Sequence, residues 1–479
     1  MKHKPNTSTT GTTGTVVLSA WATLLVGAMT WALFAGPGEF AMRDMVVLDH
    51  PLLTHASLGM GTLPGRNAPQ DAVLAIVGQV IPATWFVRAL MVASAAAGAF
   101  GAVRLASLSD DPPSLLRSAA SMTVAVANPF VVERLLQGHW SLVVAAWLLP
   151  VVAWLGLSAR TGWLIVAVWV CSLTPTGALA AVAIALATHR RWQVWVAGVL
   201  ACAPWAVTGL LHAGGGTSSR SAVEAFAPRA EEHVGTLGAI VGLGGIWNAD
   251  AVPASRSSGF AIAGVLLFLL LLCAVRRVPR PLLWLAAAGF AVALTGWLAP
   301  QVLGWVVETI PGGGLLRDSQ KWLILAIPAY VAAAGLLPRV LAGAALALCL
   351  LQTHDAPAEL AVLRPVTVAI PNVETTGFVE FVDRPTLIAR GDGIPVVDPA
   401  TKAYNVIESG ELTVDGVLVD KPAETTIEPN VIVYPDGHVE RTDAPAPPTP
   451  WLGLVLLALW AATPLLVLSL RPARRSARP

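Results

Sequence analysis

The sequence predicts an all-α polytopic membrane protein of about twelve transmembrane helices, carrying a small β-rich extracytoplasmic module. Three observations predict it. Of 479 residues, 55% are hydrophobic and 12% charged, about half the charged share of a soluble globular chain, and mean hydropathy is +0.67. Apolar runs long enough to cross ~30 Å of hydrocarbon recur through most of the chain. Sixteen of the 29 acidic residues fall between Asp355 and Asp443, against six Lys or Arg there, although the whole chain nets only +1. That stretch reads as a separate, water-exposed domain.

The first span, 15–35, follows Lys2 and Lys4 and has no small-residue cleavage pattern behind it, so it reads as a retained helix and not a signal peptide. Further spans fall at 82–106, 114–130, 140–158, 162–173, 177–188, 192–212, 259–275, 281–298, 321–337, 339–353 and 451–470. With the N-terminus inside, the inner loops hold Arg104, Arg117, Arg160, Arg190, Arg191, Arg276, Arg277, Arg280, Arg339 and the tail RPARRSARP, opposed only by Asp110 and Asp111. Every other acidic residue from Glu39 to Asp318 then lies outside, as the positive-inside rule asks. This places both termini in the cytoplasm, the chain in the plasma membrane, and the acidic domain outside.

Spans 162–173 and 177–188 are too short to cross alone and meet at Ser172 to Gly177. Lipid cannot satisfy free backbone groups there, so the pair is buried in protein or lines a cavity, and a cavity open to the outside is expected. Three long outer loops, Gly36 to Ile81, His212 to Ser258 and Pro300 to Gln320, put any chemistry on the outer face. Within the first, Pro69 to Val80 is apolar on one side and suits a helix lying in the interface. From about 355 to 450, alternation in VTVAI, FVEFV, LTVDGVLVD and VIVYPDGHVE, with turns at Asp415-Gly416 and Asp436-Gly437, predicts hairpins. The Pro-rich stretch Ala444 to Pro450 links them to the last span. The domains are therefore a membrane part, 1–354, a β-rich part, 355–450, and a final helix with a basic tail, 451–479.

Three polar clusters are candidates for chemistry. In the first outer loop, Asp44 or Asp49 is placed to deprotonate a hydroxyl or to hold a divalent cation such as Mg or Mn that carries a phosphate leaving group; Arg43 and His50 flank them as substrate contacts. An ordinary solvated loop is the competing reading, and it applies equally to Arg66 and Asp71 beside the interfacial segment. The second cluster, Asn128 to Trp140, sets Glu133, Arg134 and His139 close to hydrocarbon, where polar groups are costly and have a job or a partner; interface anchoring is the alternative. The third, Pro311 to Trp322, is a glycine turn followed by Arg317, Asp318 and Lys321. Cations entering a helix N-terminus form an anion site, for which a lipid-linked phosphate is the natural occupant, against plain snorkelling. Arg88, two turns into its span, must pair with a carboxylate, Asp44 or Glu133, or touch a lipid phosphate. Trp247 stacks on a sugar or serves the aromatic belt.

Several function classes drop out. No Walker loop, Rossmann fingerprint, HExxH or paired CxxC motif is present, and Cys171, Cys202, Cys273 and Cys349 all lie in apolar runs, so neither a disulfide framework nor a cysteine metal site is implied. Without a continuous basic face, nucleic acid is not a partner.

As a whole the arrangement resembles the GT-C superfamily of polyprenyl-phosphate-sugar-dependent glycosyltransferases, particularly the arabinofuranosyltransferase-like membrane proteins of actinobacteria. The long first outer loop with Asp44 and Asp49, the interfacial segment Pro69 to Val80, the short helices around Thr174-Pro175-Thr176-Gly177 and the outer β module carry the likeness. Leu316-Arg317-Asp318-Ser319-Gln320-Lys321-Trp322 is similar to the Leu-Arg-x-x-x-Lys-aromatic run of those proteins. The resemblance implies Asp44, with Asp49 second, as base or metal ligand. It also implies a polyprenyl-phosphate-linked sugar as donor and an envelope glycan or lipid as acceptor. Two rival readings share the same residues: a flippase or exporter of a lipid-linked glycan, and a non-catalytic scaffold for envelope assembly.

Overall fold

The computed structural model describes residues 8–108, 114–211, 219–414, 416–423 and 425–470. Lys2, Lys4, Asp110, Asp111, Asp415, the first residues of the second long loop and the basic tail lie outside the described residues. Among those described, eight helices are long and apolar enough to cross a membrane. Of the twelve expected spans, three are shorter apolar helices, Thr161–Cys171, Pro175–Thr188 and Ala261–Leu272. The first has 11 residues, about 16 Å at ~1.5 Å rise, roughly half the hydrocarbon thickness. The expected span 321–337 is broken into a 3-10 segment, Ser319–Ala326, and a ten-residue helix, Ile327–Leu336.

The helices that place the site are α1 (Ser8–Thr30), α2 (Gln70–Val77), α3 (Ala83–Ala106), α4 (Leu115–Val126), α5 (Pro129–Leu136), α6 (Trp140–Leu157), α7 (Thr161–Cys171), α8 (Pro175–Thr188), α9 (Trp192–Leu211) and α10 (Arg220–Ala225). Apolar on every side, α6 is the centre of the bundle, buried along nearly its whole length. The eight-residue α2 is the expected interfacial segment, too short to span.

The junction of α7 and α8 is packed within the protein, with Ser172, Leu173 and Thr176 buried. Ser172 is fully buried, its hydroxyl accepts from Trp460 Nε1 at 2.7 Å, and Trp460 lies against Trp169 with ring centroids 4.9 Å apart. Of the two arrangements lipid permits for such a break, the chain adopts burial in protein, because the last helix, Trp451–Ala462, covers it.

Ten short strands follow the order β1 (Phe40–Met42), β2 (Met45–Val47), β3 (Phe378–Phe381), β4 (Leu387–Ala389), β5 (Pro395–Val397), β6 (Asn405–Val406), β7 (Leu412–Val414), β8 (Val417–Asp420), β9 (Val431–Val433) and β10 (Val439–Arg441). The main sheet runs β10-β9-β3-β6, while β1-β2, β4-β5 and β7-β8 are separate hairpins. FVEFV, LTVDGVLVD and VIVYPDGHVE thus form strands, but VTVAI does not; Val366 makes only an isolated bridge to Glu39. The β-rich part is knitted into the rest of the chain. Ala41, Val46 and Val396 share a small core, and Leu360 and Leu363 sit within the core of the helical bundle, so residues 356–363 pack with the helices.

Candidate functional site

The site grows from a helix stop. Asn128 caps α5, its Oδ1 accepting from Val131 N at 3.1 Å, with Pro129 preset at the first helical position. The helix runs eight residues to Leu136 and is stopped by the turn at Gly138, held at φ +88°. Gly138 N donates to Leu135 O at 2.9 Å and His139 N to Arg134 O at 2.8 Å, the paired bonds of a Schellman stop. This turn folds His139 back over Arg134. A Cβ on Gly138 would lie 2.4 Å from Met45 N, so only glycine lets the turn press against the β1-β2 hairpin.

That hairpin presents Asp44. Its loop, Arg43-Asp44, holds Arg43 at φ +48°, and Arg43 tethers it by donating to Leu136 O and, at 2.7 Å, to Asp250 O. Asp44 N donates to Gln137 O at 3.2 Å. Asp44 Oδ2 takes two bonds, from Gln137 Nε2 at 2.8 Å and from His139 Nε2 at 3.0 Å. Since Arg134 Nη1, 3.2 Å from His139 Nδ1, can only donate, Nδ1 is the acceptor and Nε2 carries the hydrogen given to Asp44. His139 is therefore spent on orienting Asp44. Among the described residues Oδ1 of Asp44 has no hydrogen-bond partner, and the side chain is 40% exposed. Burial pushes the Asp44 carboxyl up, but the bonds from His139 and Gln137 and the charge of Arg317 outweigh it and hold it below the ordinary value.

Behind this pair the network runs to the third cluster. Arg134, fully buried, grips Asp318 with both Nη atoms, at 2.5 and 2.9 Å, and donates to Gln320 Oε1. Gln320 Nε2 donates to Gly244 O at 3.1 Å. Burial would raise the Asp318 carboxyl, yet Arg134 draws it down to about 2. On the other side, Asn248 Nδ2 donates to Gln137 Oε1 at 2.7 Å. The three polar stretches, far apart in sequence, thus share one hydrogen-bonded chain. Trp247 joins it by packing edge-on to Phe226, centroids 4.5 Å apart, with Arg317 4.6 Å from the same ring.

Three cations neighbour one another here: the charge of Arg317 reaches Asp44, and Arg66 and Lys321 lie within the field of Arg317. Arg317 donates to Asp420 on β8. Arg66, in the first long loop, is brought down to about 10, mainly by the charge of Arg317. Lys321 lies within the field of both arginines. Among the described residues, Arg66 and Lys321 have neither an ion pair nor a hydrogen-bonded carboxylate. Nearby, Lys402 of the β-rich part reaches Asp71 on α2 at 2.6 Å, tying that part to the interfacial helix.

Other sequence candidates are engaged elsewhere. Asp49 Oδ1 accepts from Thr84 Oγ1 at 2.5 Å and His50 Nδ1 bonds Gly78 O at 2.7 Å; both fasten the loop to α2 and α3. Arg88 pairs with neither Asp44 nor Glu133. It is 3% exposed, donates to Leu33 O at 2.7 Å and Thr84 Oγ1 at 2.9 Å, and lies over the rings of Phe40 and Trp85; backbone carbonyls where α1 ends satisfy it. Glu133 is sealed, accepting from Gly245 N at 3.2 Å and Ile246 N at 3.0 Å, beside an Arg256–Glu231 pair at 2.5 Å. Gly244 fits between them because a Cβ would meet Glu231 at 2.5 Å and Glu133 at 2.8 Å. A divalent cation on Asp44 and Asp49 together does not fit this donor set: the two face different partners, and among the described residues no three His, Cys, Asp or Glu converge.

The sequence reading passed over Gln137, Asn248, Gln320 and Asp420. Gln137 and Gln320 lie inside the polar runs, where an amide near hydrocarbon carries the same cost as a charge; nothing in the pattern of LTVDGVLVD marks Asp420. Comparison with protein-family models, curated proteins and solved structures finds no match for this chain.

Proposed function

We propose that the chain is an extracytoplasmic, inverting glycosyltransferase that moves a sugar from a polyprenyl-phosphate donor to an envelope glycan or lipid acceptor. The observation that carries the reading is the partly exposed Asp44, aimed by His139 and Gln137 and within the field of Arg317, which in turn neighbours Arg66 and Lys321. In this reaction the acceptor hydroxyl gives its proton to Asp44 Oδ1 and attacks the anomeric carbon, while the bond from that carbon to the phosphate oxygen breaks. The departing phosphate keeps the electron pair, and the cations stabilise its charge. A carboxylate this acidic is a weak base, which suits proton transfer late in a transition state that is already oxocarbenium-like. His139 and Gln137 position Asp44 and need not touch substrate. The segregation of Lys and Arg to the opposite set of loops supports an outer location.

The exporter reading uses the same cations but leaves the two bonds that aim Asp44 without purpose. Incubating purified protein in detergent with radiolabelled polyprenyl-phosphate sugars and envelope acceptors tests the proposal. Labelled glycan and free polyprenyl phosphate are the expected products; intact donor after prolonged incubation with the whole panel would overturn it.

A further inference from the structure

We infer that Asp420 occupies the place of a ligand anion on Arg317, making the β7-β8 hairpin a lid over a three-cation site, Arg66, Arg317 and Lys321, for the phosphate of a lipid monophosphate. The inference rests on the reading that these cations hold a lipid phosphate. Asp420 is 3% exposed. One oxygen sits on Arg317 Nη1, while Oδ1 is buried without a hydrogen-bond partner. A buried carboxylate with one oxygen unmatched is costly to keep, and its charge reaches Arg66. Satisfying two further cations takes an anion with more than one free oxygen, which a phosphate has and Asp420 does not.

The hairpin can move without disrupting the main sheet. It shares no ladder with the four-stranded sheet, and it is flanked by irregular segments, 407–411, 421–423 and 425–430 among the described residues, with Ala423 N donating to Ser409 O at 2.7 Å. Its apolar seat is Val419, with Leu412 and Val414 beside it, against Ala222, Phe226 and Trp247, helped by Ser219 donating to Val419 O and Ser221 to Leu418 O at 3.1 Å, whereas Val417 and Leu418 are 54% and 43% exposed. When a phosphate reaches Arg317, Arg66 and Lys321, Asp420 meets a like charge and returns to water, and the hairpin lifts with it. Arg317 stays seated on Phe226.

The probe is farnesyl phosphate in detergent, with inorganic phosphate as a second arm, titrated calorimetrically into the wild type and Asp420→Asn. The variant is expected to bind farnesyl phosphate about tenfold more tightly. Equal or weaker binding overturns the inference, and a gain confined to inorganic phosphate overturns the lipid assignment. Hydrogen exchange on the wild type needs no variant: residues 412–420 exchange faster with farnesyl phosphate bound, and protection there contradicts a lifting lid. Tighter binding by Asp420→Asn in a protein that never transfers sugar would refute the proposed reaction and leave the lid; equal binding in a protein that transfers would do the reverse.

Discussion

Replacing Arg134 by methionine keeps the volume of a buried side chain and removes every donor that serves Asp318 and Gln320. Asp318 is 6% exposed and held at about 2 against 3.8 for the unperturbed group. A carboxyl so depressed contributes roughly 2 kcal/mol at neutral pH. The sign follows from the depression: the contribution is complete above the unfolded value and is lost as pH falls through about 2. Arg134→Met forfeits it and leaves a buried carboxylate without its cation, for which about 3–5 kcal/mol is typical. Asp318→Asn in the same background removes the stranded charge and restores part of the loss. Reversible unfolding in mixed detergent and SDS micelles of both single variants and the double variant gives the coupling energy, expected at about 2 kcal/mol or more. Additive effects, within about 0.5 kcal/mol, would refute the claim that Arg134 and Asp318 act as one buried unit.

Two further outcomes follow from the same geometry. Gly138→Ala puts a side chain at φ +88° and 2.4 Å from Met45 N. The backbone term alone costs about 1–3 kcal/mol, so the variant melts lower and loses transfer as Asp44 is pushed from His139; unchanged melting and turnover would contradict the role given to this turn. Because the Asp44 carboxyl lies below its ordinary value of 3.8, it is ionised throughout the neutral range. kcat/KM for transfer is then expected to show no acid limb from this group above pH 5, and an Asp44-dependent limb centred near 6 would contradict the arrangement.

Much of the frame was legible because membrane helices are written in composition. The long apolar runs, the short helix at 70–77 and the strand pairs β7-β8 and β9-β10 all read directly. The short helices at 161–171 and 175–188 were legible as too short to cross alone, whereas length misled at 261–272, where the helix is shorter than the apolar run, since hydropathy does not say whether a short helix ends in lipid or in protein. Arg88 was legible as a charge needing a partner, but the partner is a set of carbonyls, which carry no residue signature. The convergence of Asp44, His139, Arg134 and Asp318 was hidden because it depends on a Schellman turn and a two-residue hairpin meeting through Gly138. Glu133 was legible as a buried polar residue, yet its partners are backbone amides of residues 245 and 246 more than a hundred positions away.

The central claim is that Asp44 is the base and the neighbouring cations hold the leaving phosphate. Its most direct test is a pair of numbers from one preparation of Asp44→Asn: the rate of sugar transfer from a polyprenyl-phosphate donor, and the affinity for farnesyl phosphate. Asparagine keeps the acceptor oxygen for Gln137 and His139 but cannot take a proton. The account predicts transfer reduced by about 10²-fold or more, with farnesyl phosphate bound at least as tightly as by the wild type. Transfer at the wild-type rate with binding intact would contradict it.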